Sequence, residues 1–234
     1  MSALVQRTRI GFTPGERALW LAPVLLVLLG LLAWAYQARP YQDRLAHFNT
    51  SLTARTSAQR QNIMMAVKRL DGTIVGRGER YSFNAVVGPR TVDRGFTEAN
   101  AFMEGARTRS LGGGVCQVSS TMYAAIQETS LPIVQRVPHV AVVSSVPPGR
   151  DASVWYGQAD LVWENTTQHP IRIKATADDL QLKIELWGTA EADLASALRF
   201  SYRFGHHANE RVVWVFRRLG GKNVLLSKDT YRTH

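Results

Sequence analysis

The sequence predicts an α+β domain behind an N-terminal transmembrane helix. Three observations carry this reading: an uncharged apolar run at Ala18–Tyr36, two amphipathic helical stretches near Ser57–Leu70 and from Cys116 onward, and a series of short strand-like segments from Ile133 to the C-terminus. Strands that follow one another through short turns, without intervening helices, argue for an antiparallel or mixed sheet. The implied boundaries are a cytoplasmic 1–17, an anchor at 18–36, a juxtamembrane linker at 37–56, a main domain at 57–188 and a basic β-hairpin extension at 189–234.

The run ALWLAPVLLVLLGLLAWAY, at about 1.5 Å per residue, makes a helix about 28 Å long, enough to cross a hydrocarbon core. It ends in Trp34, Tyr36 and Gln37, whereas a cleavable signal has a shorter apolar stretch and a small-x-small site, so a retained anchor is expected. Arg7, Arg9 and Arg17 precede the span and Arg39 and Arg44 follow it. That slight excess favours a cytoplasmic N-terminus and puts the chain from Gln37 onward outside the cell membrane. The net charge of +10 suits anionic headgroups or an anionic wall polymer beside that membrane. No Lys/Arg cluster with interleaved aromatics is present, so nucleic acid is not an expected partner. Nothing in the pattern specifies an oligomeric state.

In SAQRQNIMMAVKRL, Ile63, Met64, Val67 and Leu70 recur at helical spacing, with Met64 and Met65 read as core filling. Tyr81–Phe83 reads as a strand, and Gly88-Pro89 as a turn. The helix from Cys116 carries Val118, Met122, Ala125 and Ile126 on one face, and Thr129-Ser130 with Pro132 ends it. IVQRV, HVAVVSSV, SVWYG, DLVWEN, IRIKATA and LQLKIELWG are read as strands, and ERVVWVFRRL and NVLLSKDTYR as a hairpin turning at Gly220-Gly221.

Cys116 is the only cysteine, so no intramolecular disulfide exists and the thiol is either buried or used. Gly112, Gly113 and Gly114 precede it, at the start of a helix whose free N–H groups favour a thiolate and can hold an oxyanion. The bland alternative is a small buried hydrophobe. His139, between Pro138 and a β-branched stretch, is the candidate base, against a half-buried strand histidine. Asp151 can orient an imidazole and Arg150 can bind a carboxylate, although VPPGRDASV has the composition of a solvated turn. Arg90 and Arg94 can clamp a carboxylate or pair on the surface with Asp93 or Glu98. His47, His169, His206, His207 and His234 show no H-x-x-x-H spacing, so no metal or other cofactor is expected.

YSFNAVVGPRTVDRGF, LGGGVCQVSSTMY and VPPGRDASVWYG followed by NTTQHPIRIKA resemble the consecutive motifs of the VanW family, from about residue 57 to Gly188, and SKDTYR is similar to family tails. The resemblance implies a bacterial cell-envelope protein of a family associated with glycopeptide resistance. Some members are similar in role to L,D-transpeptidases, which join peptidoglycan stem peptides through a Cys thioester. It implies Cys116 as nucleophile and His139 as base; with that chemistry, Gln117 and the three glycines are expected at the oxyanion turn, and Ser119, Ser120, Arg90, Arg94, Arg150 and Asp151 toward the stem peptide. This chain departs from the family pattern at Val137, where many members have histidine. A non-catalytic wall-binding module is the alternative, and a thiol hydrolase would use the same dyad.

Overall fold

The computed structural model describes residues 23, 25–32, 34, 41–103, 106–191, 199–207, 209–219 and 222–233. The chain divides into two units, Met1–Arg39 and Pro40–His234. Of the first, residues 23, 25–32 and 34 are helical and exposed. Among the described residues no helix is long and apolar enough to cross a membrane, and the remainder of the expected 18–36 span lies outside them.

The second unit is built on a four-stranded antiparallel sheet in the order β1-β9-β8-β2, with β1 at Asp43–Ser51, β2 at Ile74–Val75, β8 at Ile171–Ala177 and β9 at Gln181–Gly188. Alternation decides its faces: Ile171, Ile173 and Ala175 are buried while Arg172, Lys174 and Thr176 point outward. β1 falls within the stretch 37–56 that the sequence reads as a linker. DRLAHFNTS lacks a clean apolar alternation, and the strand forms because β9 pairs along its length, Phe48 opposite Ile184 and Thr50 opposite Leu182.

Helix α1, Ser57–Leu70, starts at a capping box in which Thr56 Oγ1 accepts from Gln59 N and Gln59 Oε1 accepts from Thr56 N. It buries Ile63, Ala66, Val67 and Leu70. Met64, read as core, is 51% exposed, and the face has rotated to place Asn62 inside, where its amide bonds the carbonyls of Thr97 and Gly113. A short α2, Phe83–Val87, follows β3, Arg80–Ser82, so Phe83 opens a helix where a strand residue was expected. Helix α3, Val115–Gln127, packs against β1, β9 and α1. Burying Val118, Met122 and Ile126 completely is worth about 1.5–3 kcal/mol each.

Two small sheets, β3-β7-β6 and β4-β5, flank this core, with β4 at Glu98–Met103, β5 at Ala106–Leu111, β6 at Ile133–Gln135 and β7 at Val162–Glu164. The C-terminal extension is a three-stranded antiparallel sheet, β10 (Arg199–His207), β11 (Glu210–Leu219) and β12 (Lys222–Arg232), rather than a lone hairpin. The turn expected at Gly220-Gly221 lies outside the described residues. Every strand ladder is antiparallel, with one isolated parallel bridge between Ala141 and Arg232.

HVAVVSSV and SVWYG do not become strands; the strand-type pairing of residues 136–160 is confined to isolated bridges such as Val137 with Ser153. Some of their backbone groups bond to side chains, Ala152 N to Ser120 Oγ at 3.1 Å and Gly149 N to Tyr231 Oη at 2.7 Å.

Candidate active site

Cys116 is the second residue of α3, and it is the one residue of that helix that is not buried. The glycines before it are dictated by close approach. A methyl group on Gly113 would stand 2.6 Å from the Ala99 carbonyl oxygen, and one on Gly112, at φ +79°, would stand 2.6 Å from Arg90 Cγ. The turn therefore slides against the backbone of β4 and carries the stem of Arg90 across it.

The thiol opens into a cavity of about 890 Å³ whose wall includes Arg55, Arg90, His139, Trp155 and Tyr156. Sγ lies 3.4 Å from the Val154 carbonyl, an acceptor for the thiol proton, and the His139 imidazole is near enough to the same sulfur to act on it through hydrogen bonding and charge. On its other side, His139 Nδ1 is 2.7 Å from Asp151 Oδ2, and the His139 backbone N–H donates to that oxygen at 2.7 Å. Cys116, His139 and Asp151 thus stand in the order thiol, imidazole, carboxylate, each acting on the next.

Asp151, read as part of a solvated turn, is 1% exposed. Its Oδ1 accepts from Tyr231 Oη at 2.5 Å and from Arg136 Nη2 at 3.2 Å, and Arg136 also pairs with Asp229. Burial pushes the His139 pKa down, but hydrogen bonds to Asp151 and Cys116 outweigh it and raise it to about 9. Burial pushes the Cys116 thiol up, and His139, by hydrogen bond and charge, together with the charge of Arg90, brings it below the ordinary thiol value. Asp151 is likewise held below the usual carboxylate range, burial being outweighed by His139 and Arg136. Each member stabilises the charged form of the next.

Several expected site residues are elsewhere. Ser119 Oγ bonds the Ala152 carbonyl at 2.7 Å and Ser120 Oγ bonds the Cys116 carbonyl at 2.7 Å; both are fully buried and tie α3 to the 152 segment, away from the cavity. Arg150 is consumed at the C-terminal end of α3, donating to Ala124 O at 2.6 Å and to Gln127 Oε1 at 3.2 Å, pairing with Glu128 and stacking on Phe48. Arg94 donates to Val87 O at 3.2 Å and covers Gly88, pairing with neither Asp93 nor Glu98. Of the four oxyanion candidates, Gly112, Gly113 and Gln117 spend their N–H groups on Thr97 O, Ser110 O and Gly114 O. Among the described residues the N–H groups of Gly114 and Cys116 have no acceptor in the chain. The Gln117 side chain is locked between Arg55 Nε, Thr50 Oγ1 and Ser51 O.

Arg90 stays at the cavity: Nη1 donates to Gly88 O at 2.8 Å, while Nη2 is buried without a partner. Arg55, Arg136, Asp229 and Tyr231 were not legible as site residues: Arg55 lies far from Cys116 and His139 in sequence, Arg136 precedes His139 by three residues without a pattern that marks it, and Asp229 and Tyr231 sit in the SKDTYR tail, which by itself says nothing of what it packs against. Among the described residues no three His, Cys, Asp or Glu side chains gather as a metal site.

A family model described as VanW like protein matches residues 58–187, more than half the chain. The chain belongs to the VanW family. Over 133 residues it is 39% identical to the uncharacterized protein YoaR of Bacillus subtilis (strain 168), an alignment covering 57% of this chain and 44% of YoaR. Over 123 residues it is 32% identical to the vancomycin B-type resistance protein VanW of Enterococcus faecalis, covering 50% of this chain and 45% of that protein. The chain thus spans under half the length of either relative. No solved structure matches. The VanW match takes in Cys116, His139 and Asp151 and ends before the C-terminal sheet. Position 137, valine here, lines the cavity beside His139, and the three-residue series is complete without a histidine there.

Proposed function

We propose that this VanW domain is a cysteine acyltransferase of the L,D-transpeptidase kind, acting on peptidoglycan stem peptides and held outside the cell membrane by residues 18–36. The observation that carries it is that Cys116 and His139 share the wall of a large cavity and act on one another, with His139 Nδ1 held by Asp151 at 2.7 Å. The arrangement is that of a nucleophile, a base and a group that orients the base. The name of the Enterococcus relative, a vancomycin-resistance protein, agrees with a role at the cell envelope.

In this reading the Cys116 thiolate attacks a carbonyl carbon of the donor stem. The resulting oxyanion faces the N–H groups of Gly114 and Cys116, each well-placed donor being worth about 3–4 kcal/mol. The C–N bond breaks, the His139 imidazolium gives its proton to the departing amine, and a thioester remains. An amine of a second stem then attacks the thioester, neutral His139 takes its proton, and the thiolate leaves. Arg55 and Arg90, on the cavity wall with no ion pair among the described residues, suit the stem carboxylates. Asp151 stays ionised and fixes the imidazole.

The test is incubation of the protein and its Cys116→Ser variant with tetrapeptide muropeptides, read by mass spectrometry. The expected result is a thioester adduct at Cys116 and a cross-linked product, both absent from Cys116→Ser. Product formation by the serine variant, or no adduct and no product from wild type across several stems, favours a wall-binding module. Anchoring is checked separately: mature protein beginning after residue 36, or a cytosolic reporter active when fused after His234, excludes it.

A further inference from the structure

We infer that the C-terminal sheet, which lies beyond the VanW match, is part of the catalytic apparatus: Tyr231 and Asp229 of β12 are positioning residues that fix the Asp151 carboxylate and, through it, His139. This rests on the Cys116, His139, Asp151 reading above.

The two oxygens of Asp151 face different parts of the protein. Oδ2 takes both His139 donors, the backbone N–H and Nδ1, each at 2.7 Å. Oδ1 takes Tyr231 Oη at 2.5 Å and Arg136 Nη2 at 3.2 Å. Arg136 is itself held from two sides, by the Asp151 carbonyl at 2.7 Å from Nε and by the ion pair with Asp229. Ser227 Oγ in turn donates to Asp229 Oδ2 at 3.1 Å. Residues 229 and 231 are two apart on one strand and so share a face. On the neighbouring strand Val213 and Val215 are buried, and a side chain on Gly149 would stand 2.3 Å from Val215. That face rests on the loop carrying Asp151, and Tyr231 Oη also accepts from Gly149 N at 2.7 Å. The histidine segment is held directly, since Arg232 N donates to the Val140 carbonyl at 2.8 Å.

Without these groups Oδ1 keeps only Arg136, Arg136 loses its second anion, and the rotation of the carboxylate that selects the His139 tautomer is less firmly fixed. The charged and titratable groups around the thiol and imidazole are Arg90 from the glycine turn side, Tyr123 from α3, Arg136, Asp151 and Tyr156 from the irregular segment, Tyr231 and Asp229 from β12, and, farther along the cavity wall, Arg55 and Glu98. Replacing Asp229 by a neutral residue makes this surrounding more positive on the imidazole side. It therefore disfavours the imidazolium and withdraws the partner of the thiolate.

The experiment uses the full chain, in which Cys116 is the only thiol, so alkylation by iodoacetamide reports it alone. Alkylation rate against pH, read by intact mass, and the His139 titration, read by NMR, are compared for wild type, Tyr231→Phe, Asp229→Asn and, as a control on the same sheet, Val224→Ala at an exposed position. Tyr231→Phe and Asp229→Asn are expected to slow alkylation near neutral pH about tenfold, the effect of one pKa unit. Asp229→Asn is also expected to lower the His139 pKa, and Val224→Ala to match wild type. Tyr231→Phe removes a hydroxyl and no volume, so it remains informative should Asp229→Asn not fold. Wild-type alkylation and His139 titration in folded Tyr231→Phe protein overturn the proposal. An ordinary thiol profile in wild type overturns instead the Cys116–His139 reading beneath it.

Discussion

His139 decides the pH behaviour, because its raised pKa of about 9 comes from partners that exist only in the fold. In the proposed reaction the imidazolium is the acid toward the departing amine, so activity is expected to fall as pH rises through about 9. The sign for stability is the same. A group raised from 6.5 to about 9 stabilises the fold fully below 6.5, and that contribution is lost as pH climbs through about 9, measurable as a falling melting temperature. Asp151→Asn keeps the shape but offers His139 an amide in place of an anion. It is expected to lower turnover by about 10⁴-fold, the scale seen when a triad loses its acid. Gly113→Ala acts through packing alone. Its methyl group would meet the Ala99 carbonyl at 2.6 Å, and a denaturant melt is expected to show a loss of about 1–3 kcal/mol.

At the scale of elements, α3 and the irregular 136–160 segment form the site together, and serine hydroxyls set their register. Ser120 donates to the Cys116 carbonyl at 2.7 Å and accepts from Ala152 N at 3.1 Å, linking the nucleophile's turn to the residue after Asp151. Ser120→Ala leaves a buried N–H unpaired. The expected cost is about 1–3 kcal/mol in a thermal melt, together with slower Cys116 alkylation. The motif that contains Ser119 and Ser120 was legible as a site motif, yet their hydroxyls are turned inward. A helix buried on nearly all sides has no free face for them, and only Cys116 reaches the cavity.

Across the whole molecule, the folded unit is longer than the family match. β1 begins at Asp43, before residue 58, and supplies Ala46 to the core and Thr50 to the Gln117 side chain, and Leu52, the residue after it, is a further core residue. A chain beginning at Ser57 removes a complete ladder from β9 and a fully buried Leu52, itself worth about 1.5–3 kcal/mol. It is expected to lose cooperative unfolding by circular dichroism, whereas a chain beginning at Tyr41 is expected to retain it.

Local pattern alone determined the α+β class, both long helices and strands β8 and β9, because these follow from apolar periodicity and glycine punctuation, and it permitted Cys116 and His139 as a candidate pair that the family resemblance then implied. Asp151 was legible as a group able to orient an imidazole, but its burial was not, since composition describes a loop's residues and not what packs over them. Only the tertiary structure decided that Arg150 and Arg94 turn away while Arg55 and Arg90 remain on the cavity, and that Arg136, Asp229 and Tyr231 close around Asp151. Those contacts join positions as far apart as Asp151 and Tyr231, which no local spacing records. They arise because a buried carboxylate must find donors wherever the fold brings them.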